Sequence, residues 1–215
     1  NYTGAPILAG LSAYRSGTGL VESAIPERIY ESAAASHLES IWLLLADEDG
    51  VIAETAAPTL VEHLRKANCL LLGPGMGREE TTEKFVHRIF FEEGAADHSS
   101  KMGFLVEQKK NDNAAKFTMP PLVIDADGLW LINKEPDWYK KIQTPMIITP
   151  HPGEMSMLTG LPVDEIQDNR IEIARQYASQ WQKIVVLKGA LSVVASPEGY
   201  TAVMPFADAV LAKAG

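Results

Sequence analysis

Four stretches of this chain place chemically capable residues directly after a short apolar run. Gly73-Pro74-Gly75-Met76-Gly77 follows Cys69-Leu70-Leu71-Leu72, and Asp125-Ala126-Asp127-Gly128 follows Leu122-Val123-Ile124. Thr149-Pro150-His151-Pro152-Gly153-Glu154 follows Met146-Ile147-Ile148, and Lys188-Gly189 closes Ile184-Val185-Val186-Leu187. Glycines let a backbone approach a ligand closely. The spacing in 73–77 is not GxGxxG, so it is no dinucleotide fingerprint, and a plain tight turn explains it equally well. Asp125 and Asp127 can accept hydrogen bonds from hydroxyls or orient Mg²⁺ through water. Alternatively, Asp125 satisfies local N–H groups and Asp127 caps the following helix, the preferred reading for Asp127. His151 either contacts a ligand or is a satisfied loop histidine. No second histidine stands at metal-ligand spacing, so no zinc site is expected. Lys188 is either a surface lysine or a point charge for a phosphate.

The elements that must hold these residues follow from the same pattern. Each apolar run is short enough to be a buried strand, and helical spacing lies between the runs. Buried strands alternating with helices imply an α/β fold of three layers, a mainly parallel sheet with helices on both faces. In such sheets ligands collect outside the strand C-terminal ends. The four stretches, with Gly75, Asp125, His151 and Lys188, are therefore expected at one sheet edge. Pro152 suits the first position of a helix, and Glu154 its first turn.

Further helices are expected over 4–16 (Ile7, Leu8, Leu11 and Tyr14 on one face), 57–67, 79–93 and 163–182. Strands are expected over 20–25 and, buried, 40–45. A hairpin is expected across Ser196-Pro197-Glu198-Gly199. Residues 94–118 read as a peripheral, mobile surface insertion.

The chain has 215 residues, 46% of them hydrophobic, and a net charge of −9. This suits a single domain over 1–215 with a real core. The acidic balance argues against a nucleic-acid partner or an anionic membrane surface. No apolar run reaches the ~18 residues of a membrane span. The single cysteine, Cys69, reads as a buried reduced thiol, and a cytoplasmic location follows.

Together with Tyr2-Thr3-Gly4-Ala5-Pro6 and Val186-Leu187-Lys188-Gly189-Ala190, the 73–77, 124–129 and 149–154 motifs resemble the NAD(P)H-hydrate dehydratase family of the ribokinase-like superfamily. The match spans nearly the whole chain. The His-Pro-Gly-Glu form is similar to the ADP-dependent prokaryotic members. The resemblance implies a lyase that repairs hydrated NADH and NADPH. The hydrate hydroxyl is phosphorylated from ADP, with Mg²⁺ as the implied metal, and phosphate then departs to leave NAD(P)H and AMP.

By position, the resemblance implies substrate contacts at Ala5, Gly75, Gly77, Asp125, His151, Pro152, Gly153 and Glu154. It implies nucleotide contacts at Lys188, Gly189, Ala190, Leu191, Ser192 and Gly215. Met76 fits a place usually held by a large apolar residue. The family's Gly-Ser/Thr-Gly-Asp motif supplies an anion hole and the catalytic aspartate. Residues 206–215 resemble the run leading into that motif, so no catalytic residue is assigned within the chain. The domain is expected to be truncated at both ends and inactive by itself. The resemblance also implies a homo-oligomer and a fused hydrate-epimerase domain in the intact protein. The competing expectations are a ribokinase-like kinase of a vitamin precursor and a nucleotide-binding module without catalysis.

Overall fold

The computed structural model describes residues 3–92 and 117–206. The 94–116 part of the expected insertion, residues 207–215 with Gly215, and Tyr2 lie outside the described residues. In chain order the elements begin with α1 (Gly4–Arg15), β1 (Glu22–Pro26), a 3₁₀ turn (Glu27–Ile29), α2 (Tyr30–Ser36), β2 (Ile41–Leu45), β3 (Asp47–Glu48) and β4 (Val51–Ile52). A second 3₁₀ turn (Glu54–Ala56), α3 (Ala57–Leu64), β5 (Leu70–Leu72), α4 (Glu80–Phe90), β6 (Leu122–Ile124), α5 (Asp127–Ile132) and α6 (Trp138–Lys141) follow. The chain continues through β7 (Met146–Ile148), α7 (Pro152–Thr159), α8 (Val163–Asp168), α9 (Arg170–Trp181), β8 (Ile184–Leu187), β9 (Val193–Ala195) and β10 (Thr201–Val203).

The main sheet has six strands in the order β10-β9-β8-β7-β6-β5. β5 through β8 are parallel, and β9 and β10 run antiparallel. Each parallel strand is laid down beside its predecessor in one direction. Right-handed crossovers then put α4, α5 with α6, and α7 through α9 on the same side. Burial agrees with this. Leu72, Leu122, Ile124, Met146, Ile148, Val185, Leu187, Val193 and Ala195 share one face of the register and are buried together. On the other face Val123, Ile147, Val186 and Val194 are half-buried, and Leu71 is 44% exposed. The mostly parallel six-stranded sheet with its helices bears out the expected α/β fold.

Four expectations change in detail. The 40–45 run is not fully buried: β2 pairs with β1 in a separate two-stranded sheet and leaves Ile41 and Leu44 exposed. Cys69 is exposed, because it precedes β5, which pairs with β6 alone among the described residues; partial burial still raises the thiol pKa. Leu8 is exposed on α1. The single helix expected over 163–182 is two, broken at Asn169, whose φ of −124° and ψ of 35° leave the helical region. Asp168-Asn169 ahead of Arg170 was the available signal, since such side chains compete for the backbone and favour helix ends.

Two residues fix the ends of the main sheet. At its N-terminal side, buried Lys183 donates from Nζ to the carbonyls of Ile142 (2.6 Å) and Thr144 (3.1 Å), and desolvation lowers its pKa. At its C-terminal side, Gly73 takes φ 125° where β5 crosses α5. A Cβ there would lie 1.8 Å from the Asp125 carbonyl oxygen. No helix among the described residues is long and apolar enough to cross a membrane.

Candidate active site

Parallel pairing brings the ends of β5, β6, β7 and β8 to one edge, as expected for Gly75, Asp125, His151 and Lys188. Backbone bonds staple the emerging loops together. Asp125 N–H donates to Leu72 O (3.1 Å), Thr149 N–H to Ile124 O (3.1 Å) and Lys188 N–H to Pro150 O (2.8 Å).

The His-Pro-Gly-Glu stretch forms the N-terminus of α7. Pro152 is the first helical residue and His151 the cap. His151 Nδ1 accepts from Glu154 N–H (3.1 Å), and Glu154 Oε2 accepts from His151 N–H (2.7 Å). This reciprocal pair is a capping box with imidazole in the usual Ser/Thr place. It leaves Nδ1 as acceptor, so the neutral ring carries its proton on Nε2. The ring lies over Gly153, where a Cβ would stand 3.0 Å from Cε1. The His151 side chain remains 56% exposed while Glu154 is buried. The arrangement therefore presents the imidazole edge outward and keeps the carboxylate inside.

That carboxylate shares a cation with Asp125. Lys188 Nζ sits 2.5 Å from Asp125 Oδ1 and 3.6 Å from Glu154 Oε2. A lysine of the loop expected to meet the nucleotide thus contacts two carboxylates expected on the substrate side. The sequence motifs did not reveal this pairing, because the three residues come from three separate strand ends. Ala126, between the two aspartates, has φ 49°. Such a backbone conformation costs roughly 1–3 kcal/mol.

Asp127 corrects its expected role. Ala126 occupies the cap position of α5, and Asp127 makes no capping bond. Its carboxylate instead accepts from Gly77 N–H (3.0 Å) and Arg78 Nε (2.8 Å), tying the glycine turn to α5. Asp127→Ala should lower stability by about 1–3 kcal/mol, through the stranded Gly77 N–H. The Arg78 pair is half-exposed and contributes little of this. Urea unfolding reads the change, and an unaltered midpoint would contradict it.

The glycine turn faces a small cleft of about 60 Å³ whose lining includes Thr3, Pro6, Ile25, Ile52, Gly75 and Met76. Ala5 lies between two of these residues, so the α1 start and the 73–77 turn share a wall. A larger groove of about 380 Å³ lies between α9 and the β9–β10 turn, among Glu172, Arg175, Ser179 and Glu198. None of Gly75, Asp125, His151 and Lys188 lines it, whereas Gly75 lines the smaller cleft.

After β8, Gly189, Ala190 and Leu191 are exposed, and Ser192 Oγ closes the turn on Gly189 N–H (3.3 Å). Arg170, unmarked in the sequence, donates from Nη2 to the carbonyls of Leu187 (2.9 Å) and Lys188 (3.1 Å). Burial lowers its pKa. No three carboxylate, imidazole or thiol groups converge to hold a metal among the described residues. Asp125, the nearest candidate, is occupied by Lys188.

A family model described as NAD(P)H-hydrate dehydratase matches residues 1–215. The chain is 33% identical to the bifunctional NAD(P)H-hydrate repair enzyme Nnr of Salinibacter ruber, covering 100% of this chain and 35% of that one. It is 30% identical to the ADP-dependent (S)-NAD(P)H-hydrate dehydratase of Bacillus subtilis, covering 99% and 63%. A crystal structure of the ADP/ATP-dependent dehydratase from Bacillus subtilis, co-crystallised with ATP/Mg²⁺, superposes with TM-score 0.69 at 29% identity, covering 99% and 62%. The chain spans about a third of the length of the bifunctional relatives and under two thirds of the Bacillus subtilis enzyme.

Proposed function

The chain belongs to the NAD(P)H-hydrate dehydratase family, and we propose that it forms the site at which an ADP-dependent (S)-NAD(P)H-hydrate dehydratase repairs hydrated NADH and NADPH. The observation that carries the reading is Lys188. It comes from the nucleotide-side loop and reaches Asp125 and Glu154 of the substrate side. Two half-sites that share one cation suit transfer of a phosphoryl group between their ligands, a reaction governed by positioning and charge.

The chemistry is balanced by the hydrate itself. Water adds to the C5–C6 enamine of reduced nicotinamide, leaving hydroxyl on C6. Hydroxide leaves poorly. Transfer of the ADP β-phosphoryl group to that oxygen releases AMP and creates a good leaving group. The ring nitrogen lone pair expels phosphate, and loss of a C5 proton restores the double bond.

In this proposal Ala5, Gly75 and Gly77 form the substrate wall, His151 to Glu154 the facing helix end, and Asp125 an acceptor for the substrate hydroxyl. Lys188 to Ser192 and Gly215 take the nucleotide. The carboxylates present do not form a cage for Mg²⁺, which in phosphoryl transfer is held largely by phosphates and water; no step here relies on it. The proposal extends to a cytoplasmic protein that self-associates and carries a hydrate-epimerase domain. The bifunctional names of the relatives support the last point.

The test is incubation of the intact protein with hydrated NADH and each nucleotide. Reduced-nicotinamide absorbance should return with ADP, more slowly with ATP, and not without nucleotide. Recovery without any nucleotide would contradict phosphoryl activation.

A further inference from the structure

The nucleotide-side loop is gripped by a residue that the proposed chemistry does not use. Arg170 opens α9 directly after the break at Asn169. Its Nη2 donates to three carbonyls, those of Leu187 (2.9 Å), Lys188 (3.1 Å) and Leu191 (3.4 Å). Nη1 donates to Gln167 Oε1 (2.7 Å), which holds the guanidinium against α8. The packing is tight: a Cβ on Gly189 would lie 2.6 Å from Nη2.

Peptide planarity gives this grip a consequence. When the carbonyls of Leu187 and Lys188 face the guanidinium, the N–H groups of Lys188 and Gly189 face away from it. Those N–H groups bond Pro150 O (2.8 Å) and Ser192 Oγ (3.3 Å). Both sides of the first two peptide planes of the loop are thus engaged. The next two N–H groups, of exposed Ala190 and Leu191, make no hydrogen bond among the described residues. Main-chain N–H groups held in a turn form an anion-binding concavity.

We propose that Arg170 is a positioning residue for ADP: it fixes the 188–192 loop so that the main-chain N–H groups of Ala190 and Leu191 receive a nucleotide phosphate. The inference rests on the dehydratase reading above and adds a residue that touches no ligand. A lysine is a poor substitute, because one ammonium lacks the planar fork that spans several carbonyls.

The test compares Arg170→Gln, Arg170→Lys and Gly189→Ala in the intact protein. Arg170→Gln should raise KM for ADP about tenfold or more, the scale of losing a charged hydrogen-bond network. KM for the hydrate should stay within about twofold, since the hydrate-side residues are held by other bonds. Arg170→Lys should recover part of the loss. Gly189→Ala should weaken ADP in the parent protein, and should add at least about threefold less in the Arg170→Gln background, because the clash is with the guanidinium itself.

An unchanged KM for ADP in Arg170→Gln, strictly additive effects, or equal rises in both KM values with a lower Tm would each overturn the inference. Calorimetric titration with ADP alone reads the same loop without turnover. A parent protein that binds ADP but repairs no hydrate would refute the dehydratase reading. The affinities of the Arg170 variants for ADP would then still decide this inference.

Discussion

Gly73→Ala will cost this protein a large part of its stability. The backbone at position 73 has φ 125°, where an L side chain is itself strained. The new Cβ would stand 1.8 Å from the Asp125 carbonyl oxygen, 2.7 Å from Gly128 N and 2.9 Å from Gly128 Cα. All three are main-chain atoms, so no rotamer change relieves the contact. They also lie where the β5 tip crosses the start of α5, with Gly128 N–H bonded to Asp125 O (2.9 Å). Relief requires moving both elements and with them the Asp125–Lys188 pair. A loss of at least about 4 kcal/mol is expected, a large part of a domain's ~5–15 kcal/mol. At roughly 2–4 °C per kcal/mol the midpoint should fall by about 10 °C or more. Gly160→Ala is the control. Gly160 has φ 78° with open space around a Cβ, so only the backbone strain of roughly 1–2 kcal/mol applies. Equal midpoints for the two variants would show that the crossing of β5 and α5 is looser than described.

Lys188→Met will remove most of the activity while leaving the fold. The side chain is 38% exposed, and the Glu154 carboxylate keeps its hydrogen bond from His151 N–H, so the core loses little. What is lost is the cation between its two paired carboxylates. In the resting site the Lys188 ammonium lies between Asp125 and buried Glu154. In the proposed phosphoryl transfer the same ammonium would stabilise the transferred charge. Removing a positioned charge stabiliser typically lowers kcat by ~10²–10³-fold. The two carboxylates left behind would also repel an incoming polyphosphate, which raises KM for ADP. Lys188→Arg should recover part of the rate, since it keeps the charge but not the compact ammonium. A Lys188→Met protein with near-parental kcat/KM would remove Lys188 from the mechanism.

Much of this arrangement was legible in the sequence because it is written at strand ends. Short apolar runs followed by Gly73-Pro74-Gly75, Asp125-Ala126-Asp127, Pro150-His151-Pro152 and Lys188-Gly189 located the site edge and the parallel strands together. Pro152 marked the start of α7, and Glu154 its first turn.

What escaped was contact between side chains distant in the chain. Nothing local to Asp127 says that its carboxylate serves Gly77, 50 residues away, instead of its own helix. Arg170 looked like one more basic residue on a helix until its carbonyl partners across β8 were placed. The Asp49-Gly50 turn between β3 and β4 was readable, because that dipeptide favours the left-handed conformations both residues adopt. Cys69 was misplaced because an apolar run cannot report whether its strand is central or at an edge. The same ambiguity hid the exposure of Ile41, Leu44 and Leu71.

The claim at the centre of this account is that one strand-tip site couples cleavage of ADP to restoration of reduced nicotinamide. The most direct measurement is the ratio of AMP released to NADH restored when the intact protein acts on hydrated NADH. The account predicts one AMP and one phosphate for each NADH, with no stable phosphorylated hydrate accumulating. AMP released without NADH, or NADH restored without AMP, would contradict it.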